Sequence, residues 1–209
     1  MNTTDTQTRS VRARANRIKG FRCRYLIAVI EEPDDIRNVG SVIRNVNVLG
    51  VEKAYVVSRR SLLPPEWRDM RERRKLGNVS ASAIKWSFVK TFPTTEACLE
   101  HLERNGFVSI VTSPYTKGRQ NAVLHEHDYT QYKKLAVWFG NEATGISAQA
   151  LDRSVLCVNI PMYGIVESLN LGTSSGIILY EITKQRRAFQ VIPRRKRNRR
   201  PPQRALTGD

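Results

Sequence analysis

Three short segments of this 209-residue chain carry the residue types that chemistry needs. The first, Asn38-Val-Gly-Ser-Val-Ile-Arg44, sets a carboxamide and a guanidinium within one short stretch. A guanidinium is a rigid five-donor fork, and an amide both donates and accepts. The second, Phe139-Gly-Asn-Glu-Ala-Thr-Gly-Ile-Ser147, puts the Glu142 carboxylate between two glycines directly after an apolar run. A carboxylate at the mouth of a buried strand has to be paired, solvated or put to use. The third, Ile160-Pro-Met-Tyr-Gly-Ile-Val-Glu-Ser-Leu-Asn-Leu-Gly-Thr-Ser-Ser-Gly176, alternates Ser168 and Asn170 with Leu169 and Leu171, then runs into small residues. Small residues let backbone approach backbone, or backbone approach a ligand. Each segment also has a purely structural reading. Asn38 can be an N-cap and Arg44 a solvated helix residue; Gly140 and Gly145 can be turn residues, with Thr144 or Ser147 capping a helix; the third segment can be a tight helix junction.

The elements that position these segments follow from the apolar pattern. Tyr25 to Ile30, Ala54 to Val57, Ile84 to Val89, Phe107 to Val111, Leu135 to Phe139 and Val155 to Ile160 are short runs rich in Val, Ile and aromatics, and read as buried strands. Between them, Val39 to Leu49 has helical spacing, Thr94 or Thr95 can cap a helix that stops at Gly106, and Leu169 to Phe189 is the longest helical pattern. Strands alternating with helices predict an α/β fold with a mainly parallel, doubly wound sheet. Such a sheet binds its ligand beyond the carboxyl ends of its strands. The polar, Gly-rich segments follow the first, fourth, fifth and sixth predicted strands. No GxGxxG opens a helix and no GxxxxGK[ST] occurs, so a cofactor would need an unusual cradle.

Charge is unevenly spread. Lys plus Arg is 35 against 19 for Asp plus Glu, a net +16, yet residues 1 to 24 and 184 to 209 together carry all but one unit of it. We therefore expect a basic N-terminal extension over 1–24, one globular domain over 25–189 and a flexible basic tail over 190–209 that adds phosphate contacts. An almost neutral globule with cationic arms points to nucleic acid before membrane. The longest apolar stretches fall far below the ~18 residues of a bilayer span, and no secretory apolar region follows the first arginines. Cys23, Cys98 and Cys157 are widely spaced and form no CxxC pair, which fits reduced thiols in the cytoplasm and argues against a zinc site. The cluster His125-Glu-His-Asp128 reads as surface loop. Arg59, Arg60, Arg68, Arg71, Arg73, Arg74 and Lys75 form a second basic patch, open to RNA contact or to plain solvation, and Trp67 within it is a core or stacking residue.

Taken together, Asn38-x-Gly40-x-x-x-Arg44, Gly140-Asn-Glu-x-x-Gly145 and Ile160-Pro-Met-x-Gly164-x-x-x-Ser168-Leu-Asn170 resemble the three ordered motifs of the SpoU/TrmH family of RNA ribose 2'-O-methyltransferases, within the SPOUT superfamily. The resemblance spans roughly residues 25 to 188. Its one variation is Leu-Asn-Leu-Gly where many members have Val and Ser after the Asn.

The resemblance implies a parallel α/β domain whose C-terminal part forms a deep trefoil knot, a homodimer, and S-adenosylmethionine held in the knot without a metal. Cofactor contacts would fall on Thr112, Gly140, Ile160, Met162 and Leu169, and catalytic positions on Asn38, Arg44, Glu142, Ser168 and Asn170. A guanidinium stays protonated at ordinary pH, so Arg44 is expected first to grip a phosphate beside the target ribose, acting as a base only where that complex perturbs it. Ser168 and Asn170 would orient Arg44 or the ribose, Asn38 the nucleotide, and Glu142 the knot loops or a partner Arg. The expected substrate is tRNA, with a D-loop guanosine favoured; rRNA, or a catalytically silent knotted RNA-binding protein, are the alternatives.

Overall fold

The computed structural model describes residues 21–59 and 83–197, together with Ala13 and Asn16. Most of both basic arms, and the second basic patch with Trp67 apart from Arg59, lie outside the described residues.

Among the described residues seven strands form one sheet: β1 (Cys23–Glu31), β2 (Val51–Val57), β3 (Phe88–Phe92), β4 (Val108–Thr112), β5 (Asn121–Val123), β6 (Leu135–Phe139) and β7 (Leu156–Asn159). Their spatial order is β3-β2-β1-β6-β4-β7-β5, and every pairing is parallel. The apolar runs are continuous because both sheet faces are covered, as parallel sheets require. On one face Leu26, Ala28, Ile30, Val137 and Phe139 pack against α1 (Ile36–Val48) and α4 (Leu171–Arg197). On the other, Ile27, Val29, Ala136 and Trp138 pack with Cys98, Leu99 and Leu102 of α2 (Thr95–Arg104) and Ala150 of α3 (Ala148–Asp152). The predicted doubly wound α/β architecture is the observed one.

Several local expectations change. Ile84 to Val89 is not one strand: Ala83–Trp86 is a 3-10 turn, closed by Ser87, and β3 starts at Phe88. The three-residue edge strand β5 was not expected; Asn121 to Val123 is too short for an apolar pattern. The N-cap of α1 is Asp35, whose carboxylate accepts from the N–H of Arg37 at 2.8 Å, so Asn38 lies inside the first turn with its side chain free for other partners. Thr94, not Thr95, caps α2, and Ser147 caps α3. The backbone of α4 continues to Arg197, beyond the predicted helix end at Phe189.

The small residues at the start of α4 find their reason in helix packing. A Cβ on Gly172 would stand 2.7 Å from Cβ of Ser41 on α1, inside contact distance. Asn45 Nδ2 donates to the carbonyl of Gly172 at 2.7 Å and to Ser175 Oγ at 3.0 Å. The run 172–176 therefore brings two helices into near-backbone contact.

Candidate active site

Strand order reverses between β1 and β6, and a cavity of about 550 Å3 opens at the carboxyl ends of β4, β6 and β7 beside that reversal. It falls within the usual size range of small-molecule sites. Thr112, Gly140, Ile160, Met162 and Leu169, the expected cofactor positions, all line it; so do Asn38, Glu142, Ser168 and Asn170.

One wall is a loop folded back on itself. A Cβ on Gly140 would stand 2.3 Å from the carbonyl carbon of Gly145 and from the nitrogen of Ile146, so only glycine fits. The turn is closed by Asn141 N–H donating to Gly145 O (3.0 Å) and Gly145 N–H donating to Asn141 O (2.9 Å). Inside it, Asn141 Oδ1 accepts from the N–H groups of Ala143 and Thr144, both at 2.8 Å. Asn141 Nδ2 donates to the carbonyl of Glu32 at 2.6 Å, where the backbone adopts φ +45°. That left-handed turn directs the chain from β1 into α1.

A chain of side-chain bonds crosses the rim. Glu142 Oε1 accepts from Asn38 Nδ2 at 2.6 Å, and its Oε2 accepts from the N–H of Asp34 at 3.0 Å. Asn170 Nδ2 donates to Asn38 Oδ1 at 2.9 Å, and Asn170 Oδ1 accepts from the N–H of Gly172 at 2.8 Å, at the N-terminal end of α4. All three sequence motifs thus meet through Asn38. Arg44 does not line the cavity. Six residues of helix turn it roughly 120° away from Asn38, and it is exposed on α1, without an ion pair or hydrogen bond to the described residues.

The SpoU rRNA Methylase family profile matches residues 25–180. This chain belongs to that family. The SpoU relatives include a tRNA (guanosine(18)-2'-O)-methyltransferase of Thermus thermophilus, 27% identical over 86% of this chain and 85% of that protein. Among solved structures, the A. aeolicus TrmH/SpoU tRNA modifying enzyme superposes with a TM-score of 0.70 at 23% identity, covering 88% of both chains. The SpoU methyltransferase AviRb of Streptomyces viridochromogenes, in complex with the cofactor AdoMet, gives a TM-score of 0.64 at 23% identity, over 78% of this chain and 58% of that one. The last two likenesses establish a shared fold.

The SpoU motifs leave out other residues that shape the site. Glu31, at the end of β1 and 2% exposed, accepts from Thr95 Oγ1 (2.6 Å), Ser147 Oγ (2.6 Å) and Ser147 N–H (2.9 Å). It ties the end of the Gly140 loop to β1. The signal was present in the sequence, because an acid closing the run Leu26–Ile30 poses the same question as Glu142. Across the cavity mouth, Tyr115 Oη donates to Glu167 Oε2 at 2.6 Å, and that carboxylate raises the phenol above its ordinary pKa. The pair joins the loops after β4 and β7; neither spacing nor composition distinguished these two residues. The segment 125–128 is structural: Asp128 caps the 3-10 turn Tyr129–Gln131 and His127 stacks on Tyr132.

Proposed function

We propose that this SpoU-family chain transfers a methyl group from S-adenosylmethionine to a ribose 2'-hydroxyl of RNA, with tRNA as substrate and a D-loop guanosine as the favoured nucleotide. The observation that carries the reading is the Glu142–Asn38–Asn170 chain on the rim of a cavity whose deep wall is backbone packed too closely for any side chain at residue 140. Such a wall suits a flat, polar-edged nucleoside. Phe139, Ile146, Val158, Ile160, Met162 and Leu169 supply apolar surface for it, and open turns supply backbone donors and acceptors.

Bound there, S-adenosylmethionine supplies a methyl group on a positively charged sulfur. The work of the chain is alignment. Asn38 is held from both ends, and of its two N–H donors and two acceptor lone pairs, one of each is used by Glu142 and Asn170. One donor and one acceptor remain for a hydroxyl, which itself donates and accepts. Ser168 brings a further hydroxyl to the same rim. Arg44 grips the phosphate next to the ribose as a bidentate cation. Positioning of this kind supplies several kcal/mol of a barrier, on the order of 10²-fold or more in rate.

Homodimerisation is supported by uncovered apolar side chains: Tyr163, Ile165 and Val166 before α4, Ile177 and Tyr180 on it, and Val48 one turn beyond Arg44. A second protomer on this surface would bring Arg44 toward a rim that, among the described residues, carries no guanidinium. The trefoil knot is supported by the path of the chain: β7 lies beyond β4, yet Asn170 and Gly172 meet Asn38 and Ser41 of α1, so residues 161–170 pass the loops that follow β4 and β6. No helix among the described residues is long and apolar enough to cross a membrane, and three buried unbridged cysteines suit a reducing cytoplasm.

The test is to incubate unmodified tRNA with the protein and S-adenosylmethionine, then map 2'-O-methylated nucleotides by mass. A single methylated ribose in the D-loop is the expected result. Because the family is named for rRNA, a parallel reaction on ribosomal RNA decides the alternative substrate; methylation of neither RNA would leave a silent RNA-binding protein.

A further inference from the structure

We infer that Lys117 binds the carboxylate of the methionine part of S-adenosylmethionine and so distinguishes the complete cofactor from forms lacking that group. The inference rests on the cofactor reading above. Among the described residues lining the cavity, only Lys117 and Glu142 carry a charge. Both oxygens of Glu142 are already engaged by Asn38 and Asp34. The half-buried Lys117 ammonium has no ion pair or hydrogen bond among the described residues, although its backbone is firmly held. Its N–H donates to Asn121 Oδ1 at 2.8 Å, and the next residue, Gly118, turns at φ +70° against Leu151.

The side chain leans over the cavity wall: Nζ lies 3.6 Å from where a Cβ of Gly145 would stand. A cation held at a partly dry rim with no acid among the described residues to neutralise it is a site for an anion. S-adenosylmethionine has two cationic centres, the sulfonium and the ammonium, and one anionic group, the carboxylate. Only that group matches Lys117. The acid Glu142 stands on the Asn38 side of the same cavity.

The experiment is calorimetric titration of the full chain with S-adenosylmethionine and with its decarboxylated form, which keeps both cationic centres. For the wild type, the complete cofactor should bind about tenfold tighter, the worth of one charge-assisted contact. Lys117→Met should abolish that preference while holding the decarboxylated form within about twofold of wild type, which also reports an intact fold; Lys117→Arg should keep the preference. An unchanged preference in Lys117→Met overturns the assignment, and if RNA affinity falls instead, the lysine serves a phosphate. Equal loss of both ligands in Lys117→Met, with Lys117→Arg no better, overturns it in favour of a structural role. A wild-type chain that takes up neither ligand refutes the cofactor reading, and this assignment with it.

Discussion

The carboxamide of Asn170 donates to Oδ1 of Asn38 at 2.9 Å across 132 residues of sequence. Because Asn170 Oδ1 also accepts from the N–H of Gly172, one side chain fastens the first turn of α4 to the first turn of α1. Asn38 cannot rotate without breaking a bond to Asn170 or to Glu142.

Glu142→Gln replaces one of two acceptor oxygens with a donor that faces either Asn38 Nδ2 or the N–H of Asp34. Turnover should fall by about 10²-fold through misplacement of Asn38, with S-adenosylmethionine affinity within about threefold of wild type. Single-turnover methyl transfer and calorimetry read the two quantities; normal turnover would take Glu142 out of the alignment.

Arg44 touches neither the cavity nor, among the described residues, any charged partner. Arg44→Ala should therefore leave stability within about 0.5 kcal/mol and cofactor binding unchanged. Methyl incorporation into RNA should nonetheless be lost, and Arg44→Lys, without the fork, should recover little of it. Near-normal incorporation by the alanine variant removes Arg44 from the reaction.

Gly140→Ala forces a methyl group into the backbone at residues 145 and 146. The loop must open, at a cost of about 2–3 kcal/mol and with loss of cofactor binding, both measurable by thermal unfolding with and without S-adenosylmethionine. A variant that unfolds at the wild-type temperature and still gains stability from the cofactor contradicts the packing described above.

Removing the buried Glu31 carboxylate leaves Thr95 and Ser147 without their acceptor. Glu31→Ala should cost about 3 kcal/mol in urea unfolding, and Glu31→Gln, which retains one oxygen acceptor, distinctly less. Equal midpoints for the two variants would mean that volume, not hydrogen bonding, governs the position.

His101 sits among Tyr55, Phe92 and Lys90, and burial, followed by the charges of Lys90, Arg104 and Lys53, lowers its pKa. A folded-state pKa below the unfolded value of about 6.5 means that folding favours the neutral ring. The contribution is thus present above pH 6.5 and is lost as pH falls through the folded value. The urea midpoint should drop between pH 7.5 and pH 5, and His101→Gln should flatten that part of the profile.

The alternating architecture and the crevice were legible because parallel strands buried on both faces leave continuous apolar runs such as Leu135–Phe139. The three motifs pointed to one site, and Asn38, Glu142, Ser168 and Asn170 do line one cavity. What spacing could not convey is partnership. Asn38 appeared as a cap, but Asp35 has that place, and the amide turns instead to two residues more than 100 positions away. Nor could it show that residues 172–176 serve helix contact, since a Gly-Ser run meets a ligand or a neighbouring backbone with the same composition. β5 and the Tyr115–Glu167 pair depend on tertiary neighbours alone.

The central position of β6 governs how the molecule can be made. Until residue 139 leaves the ribosome, β1 has a neighbour on only one side, and a long apolar edge waits for a partner. Closure of the sheet around β1 therefore waits for β6, and between the synthesis of β2 and that of β6 the β1 edge is open to self-association. Chaperone demand should follow from this order of strands whatever the fate of the residues lining the cavity.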